Sequence, residues 1–219
     1  MMVVLITRPM HDDTTAYLFE WSRSIIDECN RRGIKVLNIE KDDVKKDNVL
    51  SFILSKKPSL LVFNGHGDPE TIYGHNKEPS KEPILSAKNL REDVVKGRVI
   101  HSLSCNSANV LGRECVNKGA ISFIGYANEF VFFIDPSSSS KPLQDKNAQP
   151  FLESANKAVI SIIKGNTIHE AFNNSQASYD WWIEHFYAHY PLEAPYILPW
   201  LLWDKMQQTV IGDEEYKVF

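Results

Sequence analysis

Five short apolar runs, separated by stretches of helical spacing, constrain this chain more than any other feature. They cover residues 3–7, 34–39, 59–64, 98–104 and 120–125. After the first run, Leu18, Trp21, Ile25 and Cys29 recur at helical intervals, and Gly33 closes that helix. Val49, Leu50, Ile53 and Leu54 mark a second helix that ends before Pro58, and residues 110–118 mark a third. Strands joined through helices cannot pair as hairpins. They build a mostly parallel sheet with helices on both faces, so an α/β class is expected.

Two segments break the alternation. Residues 70–90 contain "TIYGHNKEPSKEPILS", too rich in proline and charge for a helix. They are expected to form a small hairpin, Ile72-Tyr73 against Ile84-Leu85, leading into a short helix. Residues 130–149 carry four consecutive serines and are expected to form a loop that covers a site or serves as a processing point. Helical spacing resumes with Ala155, Val159, Ile162 and Ile163, and again from Ile168 to about His185. The tail, "APYILPWLLWDKMQQTVIGD", is expected to supply one or two late strands. The 219 residues suit one substantial core, and no repeat or linker divides them, so 1–219 is read as a single domain.

Charge and cysteine usage narrow the partners. A net charge of -4 offers no cationic field for nucleic acid. No apolar run approaches the roughly 20 residues that span a bilayer, so no membrane partner is expected. The start of the chain is too short and uncharged for a secretory signal. Cys29, Cys105 and Cys115 form no disulfide framework, which fits reduced thiols and a cytoplasmic location. The sequence carries no phosphate-binding or dinucleotide fingerprint, and no cofactor is expected. His66, His75, Cys105 and Cys115 lack the paired spacing of a structural zinc site, so no metal is expected either. His185 and His189 stand at i, i+4 among Trp181, Trp182, Phe186 and Tyr190, which reads as a helix packing face or, less simply, a groove lining. Oligomeric state is not legible.

Ligands of an open parallel sheet bind beyond the carboxyl ends of its strands. His66, in "LVFNGHGD", follows the third run, and Cys105, in "HSLSCNSA", follows the fourth. If those strands are neighbours, a thiol and an imidazole emerge side by side. A helix starting immediately after Cys105 would favour the thiolate. Thiolate plus imidazole is the minimum apparatus for attack on a carbonyl. Gly67, lacking a Cβ, could bring its N–H to the carbonyl oxygen and, with the Cys105 N–H, form an oxyanion hole. Each residue also has a bland explanation: a turn histidine, and a small buried cysteine. Asp68 could orient His66 or cap the turn.

"FNGHGD" followed by "IHSLSCNSA" resembles the histidine and cysteine blocks of the caspase–gingipain superfamily of cysteine peptidases, which includes gingipains, clostripain, legumain and CHAT domains. "TIYGHNKEPSKEPILSAKNL" is similar to the segment that follows the catalytic histidine in caspases, and "QQTVIGDEEYKV" to a gingipain-type terminal segment running into Gly212-Asp213. The resemblance implies a three-layer caspase-hemoglobinase-like fold, a catalytic dyad of His66 and Cys105, an oxyanion hole at Gly67 and Cys105, a polypeptide substrate, and a pocket for the P1 side chain. Several members take arginine or lysine at P1 through acidic residues. The acidic residue that some members keep two positions before the cysteine is replaced here by Leu103. Asp12 and Asp13, after the first run, are the alternatives, although aspartate there also suits a helix N-cap. Glu129 and Asp135 are weaker candidates for the same pocket. The expected function is a cysteine endopeptidase, with cleavage after a basic P1 residue as one option. The alternative is a catalytically inactive relative acting as an interaction or sensor module. A glutamine-amidotransferase-like hydrolase would place cysteine before histidine in the chain, the opposite of this order.

Overall fold

The computed structural model describes residues 3–75 and 81–219. Six strands, β1 (Val3–Arg8), β2 (Lys35–Glu40), β3 (Leu60–Asn64), β6 (Val99–Leu103), β7 (Ser122–Tyr126) and β8 (Gln208–Gly212), form one sheet in the order β2-β1-β3-β6-β7-β8. The five strands expected from the apolar runs are mutually parallel, and β8 closes the edge antiparallel to β7. Strands β4 (Thr71–Tyr73) and β5 (Pro83–Ser86) make the small antiparallel pair, with Ile72 opposite Leu85. The connection between them at 76–80 lies outside the described residues. No helix among the described residues is long and apolar enough to cross a membrane.

The central strands are buried on both faces, which is why they read as continuous apolar runs rather than alternating ones. One face packs Leu5, Leu61, Phe63 and Ile100 against helices α3 (Lys46–Lys56), α4 (Glu92–Val95) and α5 (Leu111–Asn117) and against the β4–β5 pair. Cys115 is fully buried in this layer. The other face packs Val4, Ile6, Val62 and Val99 against α2 (Arg23–Arg31) and α6 (Gln149–Ile163). Near the carboxyl edge, Leu103 and Tyr126 pack against α1 (Asp13–Trp21) and α6. Outside α6, α7 (Ile168–His189) and α8 (Ala194–Gln207) add a further cluster around Phe151, Tyr179, Phe186, Ile197 and Leu201.

One expectation needs correction, and a second is narrowed. The helix read through residues 18–29 is two helices broken at Ser22. The buried guanidinium of Arg8 occupies the Phe19 carbonyl at 3.2 Å and the Ser22 hydroxyl at 2.9 Å, so groups at the junction are satisfied by β1 rather than along one helix. The tail gives one strand, because residues 194–207 are helical despite Pro199. Ile197, Leu201 and Asp204 recur at i, i+4, i+7 and are buried together, while Pro195 sits in the first turn, where a missing N–H costs nothing. Burial on one helical face outweighs the interior proline.

The serine-rich segment is tied to the body through Asp145. That buried carboxylate accepts from the Tyr17 hydroxyl at 2.7 Å and the Asp135 N–H at 2.8 Å. The Trp21 indole donates to the Pro142 carbonyl at 3.0 Å.

Candidate active site

The chain leaves β1 toward β2 on one side, while β3 lies on the other. The topological switch point therefore falls between β1 and β3, the usual ligand crevice of such sheets. His11 and Asp12 follow β1, and His66 follows β3, so these residues meet at that crevice. One strand further along, β3 and β6 are hydrogen-bonded in register, Asn64 opposite Leu103, and Cys105 leaves β6 two residues beyond that pair. His66 leaves β3 two residues beyond the same pair. Thiol and imidazole thus depart from adjoining strand ends at equivalent heights.

The two glycines flanking His66 let its loop sit between the loops that follow β1 and β6. Gly65 has φ +142, and a Cβ there would stand 3.1 Å from Pro9 Cγ and from the Tyr73 carbonyl. At Gly67 a Cβ would stand 2.9 Å from the Ser104 Cβ and Oγ and 3.0 Å from the Cys105 carbonyl oxygen. Gly67 bridges Ile72 in the arrangement where the flanking residues exchange the bonds: Asp68 N–H to Thr71 at 2.9 Å, and Tyr73 N–H to His66 at 3.0 Å. That leaves the Gly67 N–H turned away from β4.

His66 is half-buried, and its Nε2 lies 2.6 Å from Asp12 Oδ2. Asp12 is also the α1 N-cap. Its Oδ1 accepts from the Thr15 N–H at 2.7 Å, and Thr15 Oγ1 returns a bond to the Asp12 N–H, a reciprocal capping box. The sequence offered the N-cap and the P1 pocket as alternatives for Asp12; it is the N-cap, and its second oxygen contacts His66, a contact the sequence did not suggest. Burial works against ionisation of Asp12, but the bonds from His66 and Thr15 outweigh it and hold the carboxyl well below the ordinary range. With Asp12 ionised, His66 Nε2 must carry the proton in that contact. Asp68 is turned elsewhere, accepting from the Tyr73 hydroxyl at 2.6 Å and the Glu70 N–H at 2.8 Å.

Cys105 is partly buried, and its Sγ donates to the Phe130 carbonyl at 3.8 Å. No hydrogen bond joins Cys105 to His66 among the described residues. The helix expected directly after Cys105 begins only at Leu111, with turns between. The favourable helix-terminus field is therefore displaced from the thiol, and burial pushes the thiol up, with the nearby charge of Glu129 acting in the same direction.

The acidic candidates separate. Asp13 is exposed in the first turn of α1. Glu129 is exposed beside Phe130, its carbonyl accepting from the Trp203 indole at 2.9 Å. The Asp135 side chain caps its own turn through the Ser137 N–H at 2.9 Å. Three further residues escaped sequence reasoning. Phe130 offers the thiol only a backbone carbonyl, which no sequence signal reveals. Asp204, fully buried beneath this loop, accepts from the Val131 N–H at 3.0 Å, and its signal was a carboxylate ending the apolar run "YILPWLLW". His11 lies 3.5 Å from the Asp12 oxygen that contacts His66, and its signal was its place beyond β1.

No family model matches the chain, and no curated protein sequence matches it at a significant level. Solved structures do. The Arg-specific cysteine proteinase gingipain R superposes with a TM-score of 0.57 at 13% identity, over 98% of this chain and 46% of that one. The complex of Porphyromonas gingivalis RgpB pro- and mature domains gives 0.58 at 12% identity, over 99% of this chain and 48% of that one. This chain thus spans about half the length of the chains it resembles. Its mixed, mostly parallel sheet between helical layers is the three-layer α/β fold of these gingipain structures.

Proposed function

We propose that residues 1–219 form a single peptidase-like domain and that the chain is a cysteine endopeptidase acting through His66 and Cys105. The observation that supports this is the in-register pairing of β3 with β6, which has the two residues follow adjoining strand ends at the same height, one strand from the crevice. The 2.6 Å contact to Asp12 supports a division of labour on the ring. With Nε2–H held by the carboxylate, Nδ1 is the lone pair left to accept a proton. Because burial raises the thiol, His66 serves as general base during attack rather than as partner of a preformed thiolate.

Sulfur attacks the scissile carbonyl as its proton passes to the imidazole. The oxyanion receives the N–H groups of Gly67 and Cys105. The imidazolium then protonates the leaving amine, and water, deprotonated by the same ring, releases the acid from the thioester. Asp12 stabilises the imidazolium in both halves. Glu129, exposed and close enough to oppose the thiolate, is the acidic group best placed to favour a basic P1 residue. Asp13 and Asp135 are less suited, the first by its place on α1 and the second by its own turn.

A second reading has one observation in its favour. Cys105 is held by a backbone carbonyl rather than by His66, which suits a peptidase-like interaction module without turnover. A covalent arginyl or lysyl ketone probe followed by mass spectrometry separates the two. Labelling of Cys105 that disappears in His66→Ala supports the peptidase. An unmodified Cys105, with no cleavage across a P1-scanning peptide library, supports the interaction module.

A further inference from the structure

His11, Asp12 and His66 bring three metal-ligating atoms to one point: one ligand atom from each residue lies within 4.8 Å of the other two. Asp12 Oδ2 is the shared corner, 2.6 Å from His66 Nε2 and 3.5 Å from His11 Nε2. Ligand atoms on a four-coordinate zinc stand roughly 3.3 Å apart, as bond lengths near 2 Å require. Small rotations of two side chains would meet that spacing. The frame is built: Thr15 Oγ1 accepts from both the His11 N–H at 2.9 Å and the Asp12 N–H at 3.0 Å, which fixes the backbone of two ligands at once. The His11 ring is largely buried and packs edge-on against His75 at 5.2 Å, and His75 is itself paired with Asp42 at 3.0 Å. Two imidazoles and one carboxylate suit a borderline transition-metal ion such as Zn²⁺, not Mg²⁺ or Ca²⁺, which favour oxygen ligands.

We infer that His11, Asp12 and His66 form a zinc-binding site at the mouth of the crevice, and that its occupancy silences the imidazole. The cation takes the place of the proton on His66 Nε2, and that proton passes through solvent to Nδ1, so the ring stays neutral and Nδ1 has no lone pair left to accept the thiol proton; both Nε2 atoms and Asp12 Oδ2 give lone pairs to the cation. Water fills the fourth position. Cys105 takes no part. Binding stands on this geometry alone, whereas its inhibitory consequence rests on the peptidase reading.

Calorimetric titration of the purified chain with zinc chloride tests the site. Wild type and Cys105→Ala are expected to bind one equivalent with equal affinity, and His11→Ala to bind at least about tenfold more weakly. His11→Gln, which keeps most of the bulk, guards against a folding effect and is expected to behave as His11→Ala does. Cobalt(II) in the wild-type protein is expected to give the visible bands of a four-coordinate site without a thiolate charge-transfer band. No uptake by wild type, unchanged affinity in both His11 variants, or a thiolate band would overturn the site. Peptide cleavage is measured separately with and without zinc. A wild-type protein that never cleaves peptides but binds zinc as described defeats the peptidase reading and leaves the site standing.

Discussion

Asp12 Oδ2 sits 2.6 Å from His66 Nε2 although 54 positions separate the two residues in the chain. The same carboxylate holds the first turn of α1. Helix capping and imidazole orientation thereby become one structural unit, and their contributions can be separated by substitution.

Asp12→Asn keeps an N-cap of equal quality but removes the negative charge facing His66. Peptide cleavage is expected to fall at least about tenfold in kcat, with KM little changed and the melting temperature held. Asp12→Ala removes both functions and should also cost about 1 kcal/mol of stability by denaturant titration. Equal kcat values for Asp12→Asn and wild type would confine the residue to capping.

Gly67→Ala tests the close approach of the two loops. The added methyl would meet Ser104 and the Cys105 carbonyl at 2.9–3.0 Å, and backbone cannot give way as a flexible side chain can. The expected cost is about 1–3 kcal/mol, together with loss of Cys105 labelling by the ketone probe. Normal labelling in Gly67→Ala would remove Gly67 from the site.

His101, in the middle of β6, is fully buried, and neither ring nitrogen has a hydrogen-bond partner among the described residues. Desolvation lowers its pKa to about 4, against 6.5 for a free histidine. The unfolded chain therefore binds this proton first. The associated stability is complete above pH 6.5, declines as pH falls below it, and is lost by about pH 4. The difference amounts to about 3 kcal/mol. Urea unfolding of wild type and His101→Leu between pH 7.5 and 4.5 should show this slope in the wild type and a smaller one in the variant.

Asp204 shows the opposite sign. Burial raises its carboxyl well above the ordinary range, so folding favours the protonated form, and stability from this site is lost as pH rises above the unfolded carboxyl value. Asp204→Asn, neutral and of the same shape, is expected to be more stable than wild type at pH 8 and to approach it near pH 4 in the same assay.

The sequence carried most of the sheet. A strand buried on both faces must be largely apolar, and four of the five runs declared themselves in that way, whereas β2, at the sheet edge and partly exposed, showed only a shorter apolar stretch. The tail was legible as holding one or two strands, and α8 was not recognised as a helix, because apolar and aromatic residues around an interior proline suit an edge strand as well as a buried helix face. The break at Ser22 was invisible, since Arg8, which satisfies groups there, lies fourteen positions away.

For the site, local sequence determined which residues end strands and why two glycines flank His66: short apolar runs and missing Cβ atoms act within a few positions. Strand order, and hence the adjacency of β3 to β6 and of β1 to β3, was decided only in three dimensions. So were the convergence of His11, Asp12 and His66 and the burial that raises the Cys105 thiol. Hydrogen-bond partners and desolvation depend on what packs across the sheet edge, and no residue encodes its distant neighbours by itself.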